Sequence, residues 1–186
     1  MSKDINHKVK STKDTAEKQN SRQDILLASL KNKEIRRRLG DLSLAVKTIR
    51  KWLKNSTHGK TFSIELTHSV SQMIKGVMGR DFDSHSITAN SIIHSLKGHG
   101  VDGTKLNAKS IPLRKSDMEL IPYIMIAPDY LAKGSVDGYG RESIRFFKAL
   151  SNGVVVVVEK EYKNSPDDME TITMWAEKSS GARNAR

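Results

Sequence analysis

Two histidines and a lysine near the end of one predicted helix form the most chemically suggestive group in the sequence. His94 and Lys97 are three residues apart, so they share a helix face, and His99 lies five residues after His94. Histidine titrates near neutral pH, and a neighbouring lysine can hold an anion. The group therefore suits proton transfer on an anionic substrate. Cationic side chains also stabilise helix C-termini through the helix dipole, so a purely capping role is the alternative interpretation.

The pattern around these residues predicts a short amphipathic helix. Its buried stripe consists of Ile92, Ile93 and Leu96. Thr88 or Asn90 is expected to cap the start, and Gly98 or Gly100 is expected to end the helix. A break at Gly98 would turn His99 back toward His94, because glycine accepts backbone conformations that other residues avoid.

The positive charge of the chain is concentrated in its first third. The 186 residues carry a formal net charge of +11, and residues 1–60 hold 16 Lys and Arg against 6 Asp and Glu. A basic extension beside a nearly neutral domain suggests an electrostatic hold on nucleic-acid phosphates. Residues 1–20 have almost no large apolar side chain, so we expect a disordered basic tail there.

Composition also narrows the cellular setting. The chain has no cysteine, which excludes disulfides and thiolate metal sites. It shows no apolar signal core and no run long enough for a membrane span, so we expect a cytoplasmic protein without membrane contact. Asp81, Asp83 and His85 share a polar loop at 80–86, but no further ligand follows at a recognised spacing. We therefore expect neither a metal nor another cofactor.

Residues 21–60 are expected to form a basic helical extension. Apolar spacing predicts helices over 22–39 and 42–54, with a break at Gly40 and a cap at Asp41. The exposed basic cluster that is a candidate substrate contact consists of Arg36, Arg37 and Arg38. A DNA-binding helix-turn-helix is another interpretation of this helix pair, although amphipathic pairs are common.

The remaining chain has the pattern of one α+β domain at 61–178, followed by a polar tail at 179–186. A strand is predicted at 61–66, a helix at 67–78, and a short helix from Ser116 with Glu119 completing a capping box. A helical turn is expected at 128–131 and should end at Gly134. Strands are predicted at 142–150, 154–158 and 169–176, with a tight turn at Asn152–Gly153 between the first two.

In the strand at 142–150, side-chain alternation favours Arg145 over Lys148 as the residue that binds an anion. Ile144, Phe146 and Lys148 share the face that the first two should bury, while Arg145 points the other way. Arg145 is therefore the favoured anion-binding residue. In the last strand, the residues that share one face are Thr171, Thr173 and Trp175. Ordinary strand propensity and packing explain the same three residues equally well.

The ordered set of elements and motifs resembles a known nuclease superfamily. The residues that carry the resemblance are His94-x-x-x-x-His99-Gly100, Asp117-x-x-x-Ile121-Pro122, Ala127-Pro128-Asp129 and Thr173-Met174-Trp175. Between a first strand and three closing strands, this set resembles the phage and mobile-element branch of the superfamily that gathers barnase, EndoU, colicin-type tRNases and RelE. The resemblance covers about residues 61–178.

The resemblance implies N-terminal helices packed on an antiparallel β-sheet and a toxin-like domain that cleaves RNA without a metal. It implies catalytic roles for His94, His99 and Thr173, and it places cationic residues in the strand at 143–148. RNA is the implied partner, and a cognate antitoxin or immunity protein stays open as a second one. The sequence leaves the oligomeric state open.

The chemistry of RNA cleavage at its own 2'-hydroxyl fits these residues independently. It requires a base, an acid and a cation near the phosphate, and His94, His99 and Arg145 can supply them, with the histidines in either order. The further candidates for substrate contact are Lys97, Lys148, Thr171 and Trp175. The alternative is a non-catalytic protein with a nuclease-like fold that binds nucleic acid or joins a phage assembly. A nuclease acting on DNA is a third hypothesis.

Overall fold

The computed structural model describes residues 33–151, 153–162 and 168–179. Its helices are α1 (Lys33–Arg37), α2 (Leu39–Asn55), α3 (His68–Met78), α4 (Ala89–His99) and α5 (Ile121–Ile126). A 3-10 helix at Lys115–Leu120 leads directly into α5. Its strands are β1 (Thr61–Glu65), β2 (Ser84–Thr88), β3 (Ser110–Ile111), β4 (Tyr130–Val136), β5 (Glu142–Ala149), β6 (Val154–Tyr162) and β7 (Asp168–Lys178).

The strands form one sheet in the order β1-β2-β7-β6-β5-β4, and β3 also pairs with β7. Within the described residues, β2 and β7 are parallel and the other strand pairs are antiparallel. The predicted α+β class with helices packed on a largely antiparallel sheet is therefore confirmed. The apolar run that opens β6 lies in a central strand, as its composition predicts.

One face of the sheet packs against the helices and forms the hydrophobic core. Ile144 and Phe146 of β5 belong to this core and are almost completely buried, as strand alternation predicts. Helix α2 contributes Ile49 and Trp52 to the same cluster, so this basic helix packs on the domain that follows it. We call the opposite face of β5–β7, which carries Arg145, Val157 and Trp175, the outer face.

Helix α4 crosses the edge of β7 that faces away from β6. Strand β2 pairs with β7 at its start, up to Glu170, and β3 pairs near its end, from Ala176. Between them, the buried Ser95 of α4 accepts a hydrogen bond from the backbone N–H of Met174 at 2.9 Å. The same hydroxyl donates to the carbonyl of Ser91 at 2.7 Å. This contact ties the helix that carries both candidate histidines to the last strand.

The predicted helix breaks at Gly40 and Gly98 are wrong, whereas the alternative helix end at Gly100 is confirmed. Helix α2 begins at Leu39 and continues through Gly40, and α4 continues through Gly98 before Gly100 caps it. A glycine inside a helix costs only about 1 kcal/mol relative to alanine, and packing of the buried helix faces outweighs that cost. Thr88 caps α4 as expected, because its hydroxyl accepts from the backbone N–H of Ser91.

The capping box predicted at Ser116 and Glu119 is also wrong. The backbone N–H of Arg114 donates to the carboxylate of Asp117 at 2.7 Å, which starts the 3-10 helix. Glu119 instead pairs with Arg50 of α2 at 2.7 Å. The local sequence pattern does not tell whether Asp117 or Glu119 caps the helix. The packing of α2 decides this, because it brings Arg50 to Glu119.

Two segments predicted as a helical turn and a loop are strands. The turn expected at 128–131 is instead the start of β4, which pairs with β5 and stacks Tyr130 on Phe147 with ring centroids 4.3 Å apart. The loop expected at 80–86 enters β2 at Ser84, between β1 and β7. Both segments gain their conformation from strand pairing with distant parts of the chain.

A β-bulge in β7 overturns the prediction that Thr171 shares a face with Thr173. Thr173 pairs with Glu159, but Thr171 pairs with Lys160, so Ile172 is an extra residue between the two pairs. The extra residue reverses the alternation of the strand. As a result Thr171 is completely buried, whereas Thr173 keeps partial exposure.

Some predictions fall outside the described residues. They are the tail at 1–20, the first helical residues at 22–32, Asn152 of the predicted turn and nearly all of the tail at 179–186. The division of the chain at residues 20, 60 and 178 stays a prediction.

Candidate active site

Two residues singled out in the sequence, His99 and Arg145, lie beside Trp175 of β7, which was singled out as well. The His99 ring lies with its centroid 6.0 Å from the Trp175 ring, at an interplanar angle of 33°. The guanidinium carbon of Arg145 lies 5.4 Å from the centroid of the same ring. Because α4 ends at His99 and passes over the edge of β7, a helical residue reaches a side chain of the sheet. A histidine, an arginine and a tryptophan thus form one group.

Arg145 is held in place by a buried carboxylate that the sequence analysis missed. Its Nε donates to Oε1 of Glu159 at 3.2 Å, and the Glu159 side chain is only 8% exposed. The same oxygen accepts from the Ser143 hydroxyl at 2.7 Å. A carboxylate with these partners orients the guanidinium plane, which leaves its outer N–H groups available for an anion.

A signal for Glu159 was present in the sequence. Val155, Val157 and Glu159 alternate along β6, so the carboxylate falls on the same face as Val157 once the strand is extended beyond Val158. Ending the predicted strand at its last apolar residue removed Glu159 from consideration. The register then places Glu159 directly between Arg145 and Thr173.

Thr173 is the neighbour of Glu159 on the other side. Its hydroxyl oxygen is buried and has no hydrogen-bond partner among the described residues. The outer face therefore carries one cross-strand row made of Arg145, Glu159 and Thr173. This row lies beside Trp175, which is two residues after Thr173 in β7. The row combines a cation, a carboxylate and a hydroxyl within three adjacent strands.

The electrostatic surroundings of His99 keep its imidazole neutral. Partial burial lowers its pKa from 6.5, and electrostatic interactions with Lys105 and His94 lower it further. His94 is exposed on α4 and lies close enough to contribute to this effect. A neutral imidazole at pH 7 can accept a proton, so His99 is suited to act as a base.

Two predicted substrate contacts, the half-buried Lys148 and the buried Thr171, point away from this group. Lys148 faces the helices, where its ammonium donates to the carbonyl of Ala127 at 2.9 Å and to Asp129 at 2.7 Å. Thr171 is buried on the core side of the bulge, opposite Lys160. Strand alternation predicts the inward direction of Lys148, and the bulge explains Thr171.

Lys97 and the basic cluster of the extension lie elsewhere on the surface. Lys97 lines a cleft of about 770 Å³ between α2, α4 and the segment after α4, and Trp52 also lines this cleft. Arg38 pairs with Glu65 at the end of β1 and lies near Asp41, while Arg36 and Arg37 are exposed. Strand β1 is at the opposite end of the sheet from β4. The structure therefore does not bring these four cations to Trp175.

The carboxylates and histidine of the 80–86 segment are also separated. Asp81 pairs with Lys75 of α3, whereas His85 is completely buried in β2. The Nδ1 atom of His85 lies 2.9 Å from the ammonium nitrogen of the buried Lys160. Burial, reinforced by the Lys160 charge, lowers the pKa of His85 well below 6.5. In the described part of the chain, no group of three or more His, Asp or Glu residues is arranged to hold a metal ion.

Fold and site together define a small α+β domain whose outer face combines cationic and aromatic side chains. A family model described as phage-Barnase-EndoU-ColicinE5/D-RelE like nuclease 3 matches residues 65–184, more than half of the chain. The chain belongs to this nuclease family, so its class of activity is nuclease and its class of substrate is nucleic acid. Comparison of the chain with curated proteins and with solved structures finds no match. Within the described residues, no helix has the length and apolar character needed to cross a membrane.

Proposed function

We propose that the protein is a metal-independent endoribonuclease of toxin type that cleaves RNA by attack of the 2'-hydroxyl on the adjacent phosphate. The observation that carries the proposal is the meeting of His99 and Arg145 at Trp175, at 6.0 and 5.4 Å between the stated centres. A proton acceptor and a phosphate-binding cation are two of the parts that this reaction requires, and the indole ring can position the substrate by stacking on a base.

In this mechanism His99 takes the proton of the 2'-hydroxyl, because its lowered pKa keeps the imidazole neutral at pH 7. The oxygen then attacks phosphorus, the bond to the 5'-oxygen breaks, and a 2',3'-cyclic phosphate forms. The second histidine of α4, His94, donates a proton to the leaving 5'-oxygen. Both histidines come from one rigid helix that Ser95 anchors to β7.

Arg145 binds the phosphate on which negative charge accumulates in the transition state. Glu159 acts as a positioning residue, since its carboxylate holds Nε of Arg145 at 3.2 Å. The hydroxyl of Thr173 is buried and has no described protein partner, and in this proposal a shift of the side chains that cover it lets it donate to a phosphate oxygen. Trp175 stacks on a base next to the cleaved bond, because every base presents a π-face.

The cellular assignment follows from the same proposal. A toxin-type ribonuclease of a phage or mobile element acts on cytoplasmic RNA, and its host requires a cognate antitoxin or immunity protein. The exposed Arg36 and Arg37, and separately the surface around Lys97, give such RNA non-specific electrostatic contacts outside the site.

The test is cleavage of total RNA in EDTA by the wild-type chain, His99→Ala and His94→Ala. We expect the wild type to produce fragments with 2',3'-cyclic phosphate ends. Loss of a catalytic acid or base typically costs about 100-fold to 10,000-fold in rate, and we expect that loss for both variants. His68→Ala is the matched control, since it removes an exposed histidine from α3.

Several outcomes would contradict the proposal. Cleavage that EDTA abolishes would refute the metal-independent mechanism, and cutting of an all-deoxy strand would refute attack by the 2'-hydroxyl. Full activity of His99→Ala would remove the proposed base. Tight RNA binding without any cleavage would favour the non-catalytic alternative.

A further inference from the structure

In the described ranges, four aromatic side chains lie outside the hydrophobic core, and all four belong to the outer face or to the hairpin that continues it. Among the aromatic side chains that the structure describes, the others pack in or against the core. The four are Tyr130, Tyr139, Phe147 and Trp175. Tyr130 is 51% exposed and Tyr139 is 88% exposed. Phe147 and Trp175 are half-buried, so the four rings form a partly exposed aromatic surface, which is typical of a binding site.

The strand register aligns three of these rings. Trp175, Val157, Phe147 and Tyr130 are successive cross-strand partners in β7, β6, β5 and β4. Neighbouring strands are about 4.8 Å apart, so the row extends roughly 14 Å from Trp175 to Tyr130. Phe147 and Tyr130 stack at 4.3 Å with 9° between their planes. Arg145 lies two residues before Phe147, beside this row.

The hairpin between β4 and β5 presents the fourth ring in a rigid setting. One carboxylate oxygen of Asp137 accepts from the backbone N–H groups of Tyr139 and Arg141 at 2.8 and 2.9 Å. The other oxygen accepts from Nε of Arg141 at 2.8 Å and pairs with its NH2 group at 2.6 Å. The bonds from Arg141 and Tyr139 lower the pKa of Asp137 to about 2. The turn thus keeps its shape near neutral pH.

Tyr139 also carries a cation against its ring. The guanidinium carbon of Arg141 lies 5.4 Å from the ring centroid, the same distance as that between Arg145 and Trp175. Arg141 directly precedes β5, and an even number of residues separates it from Arg145 and Phe147, so strand alternation puts it on their side of the sheet. At about 3.4 Å per residue, Arg141 and Phe147 are roughly 20 Å apart along the strand. Two arginine–aromatic pairs and one stacked aromatic pair therefore follow the line of β5.

We propose that the outer face is a track for single-stranded nucleic acid, on which Tyr139 and the Tyr130–Phe147 pair stack on nucleobases at either side of Arg145. The inference rests on the proposed function in one respect, namely that Arg145 binds the phosphate at the cleaved bond. Arginine charges attract the phosphates, and aromatic rings accept bases of any identity. The rigid turn reduces the entropy that Tyr139 loses on binding. Stacking on separated bases requires an unpaired strand, because duplex bases are already stacked.

The experiment measures binding of a fluorescein-labelled eight-nucleotide 2'-O-methyl RNA, which lacks the attacking hydroxyl and stays intact. We expect Tyr139→Ala to weaken its Kd about tenfold to a hundredfold, the range for one lost base stack. Tyr139→Phe keeps the ring and should bind like the wild type. Leu44→Ala, which removes an exposed apolar side chain from α2, is the matched control and should leave the Kd unchanged.

A second arm separates this inference from the proposed function. Cleavage of an unmodified dinucleotide should be the same in Tyr139→Ala and wild type, because a dinucleotide does not reach the hairpin. If no RNA is cleaved but the 2'-O-methyl strand binds through Tyr139, the proposed function fails and the track stands. An unchanged Kd in Tyr139→Ala overturns the track. Equal displacement of the probe by duplex RNA or by polyglutamate would also overturn it, in favour of a duplex-binding or acidic-protein-binding surface.

Discussion

Replacement of Ser95 by alanine tests how α4 and β7 are held together at the candidate site. The Ser95 hydroxyl accepts from the N–H of Met174 at 2.9 Å, and both residues are completely buried. Alanine removes this acceptor and leaves the N–H group unpaired. A buried unpaired group costs about 1–3 kcal/mol, so we expect Ser95→Ala to lower the free energy of unfolding by that amount.

Ser91 provides a matched comparison on the same helix. It is also buried, but its hydroxyl donates to the carbonyl of Thr88 and has no contact with β7 in the described hydrogen bonds. Ser91→Ala therefore removes one ordinary hydrogen bond, worth about 0.5–1.5 kcal/mol. The expected difference between the two variants is thus about 1 kcal/mol.

The two variants should differ more in activity than in stability. Ser95 positions the helix that carries His99 relative to the strand that carries Trp175, and a displacement of about 1 Å can cost roughly a hundredfold in rate. We expect Ser95→Ala to lower kcat for RNA cleavage about tenfold to a hundredfold, with Ser91→Ala near wild type. Urea unfolding followed by circular dichroism gives the stability. Equal unfolding free energies together with equal kcat values would refute the positioning role.

Two further predictions concern binding and pH. Arg145→Gln should reduce the slope of log K against log salt for single-stranded RNA by about 0.7, the value for one phosphate contact. Lys148→Gln, whose ammonium is tied to Asp129, should leave the slope of a salt titration unchanged. For His85, the folded pKa lies well below 6.5 because of burial and Lys160, so the unfolded chain binds a proton that the folded chain does not. Its stabilising effect is complete above about pH 6.5 and declines as the pH falls below that value, by at most about 1.4 kcal/mol per pH unit for one proton. Urea unfolding of wild type and His85→Asn from about pH 7 to pH 5 should show that difference, and parallel pH profiles would contradict it.

Several patterns that depend only on neighbouring residues were predicted correctly, although the capping box at Ser116 and the helix breaks at Gly40 and Gly98 were not. Thr88 caps α4, and Ile144 and Phe146 enter the core while Arg145 does not. These outcomes follow from period-two alternation and from local capping, both of which are set within a few residues.

Patterns that depend on a distant partner were predicted poorly. Proline and glycine made 128–134 look like a helical turn, but pairing with β5 makes it strand β4. Thr171 faces the core and not the outer face, because Ile172 is an extra residue in β7 relative to β6. Neither the partner of an edge strand nor the position of a bulge is encoded in the segment itself.

The sequence by itself determined the fold class and the residue types of the candidate site. Alternation and helical periodicity are local consequences of backbone geometry, and strand alternation favoured Arg145 as the anion-binding residue. The chemistry of histidine and the resemblance to the nuclease superfamily nominated His99, and Trp175 belongs to a motif of that resemblance. Only the tertiary structure decided which of these candidate residues lie close together in space. The crossing of α4 over the edge of β7 brings His99 to Trp175, and strand register places Glu159 beside Arg145. It also directs Lys97 and Lys148 elsewhere, because proximity between residues far apart in the chain depends on packing of whole elements rather than on spacing within one of them.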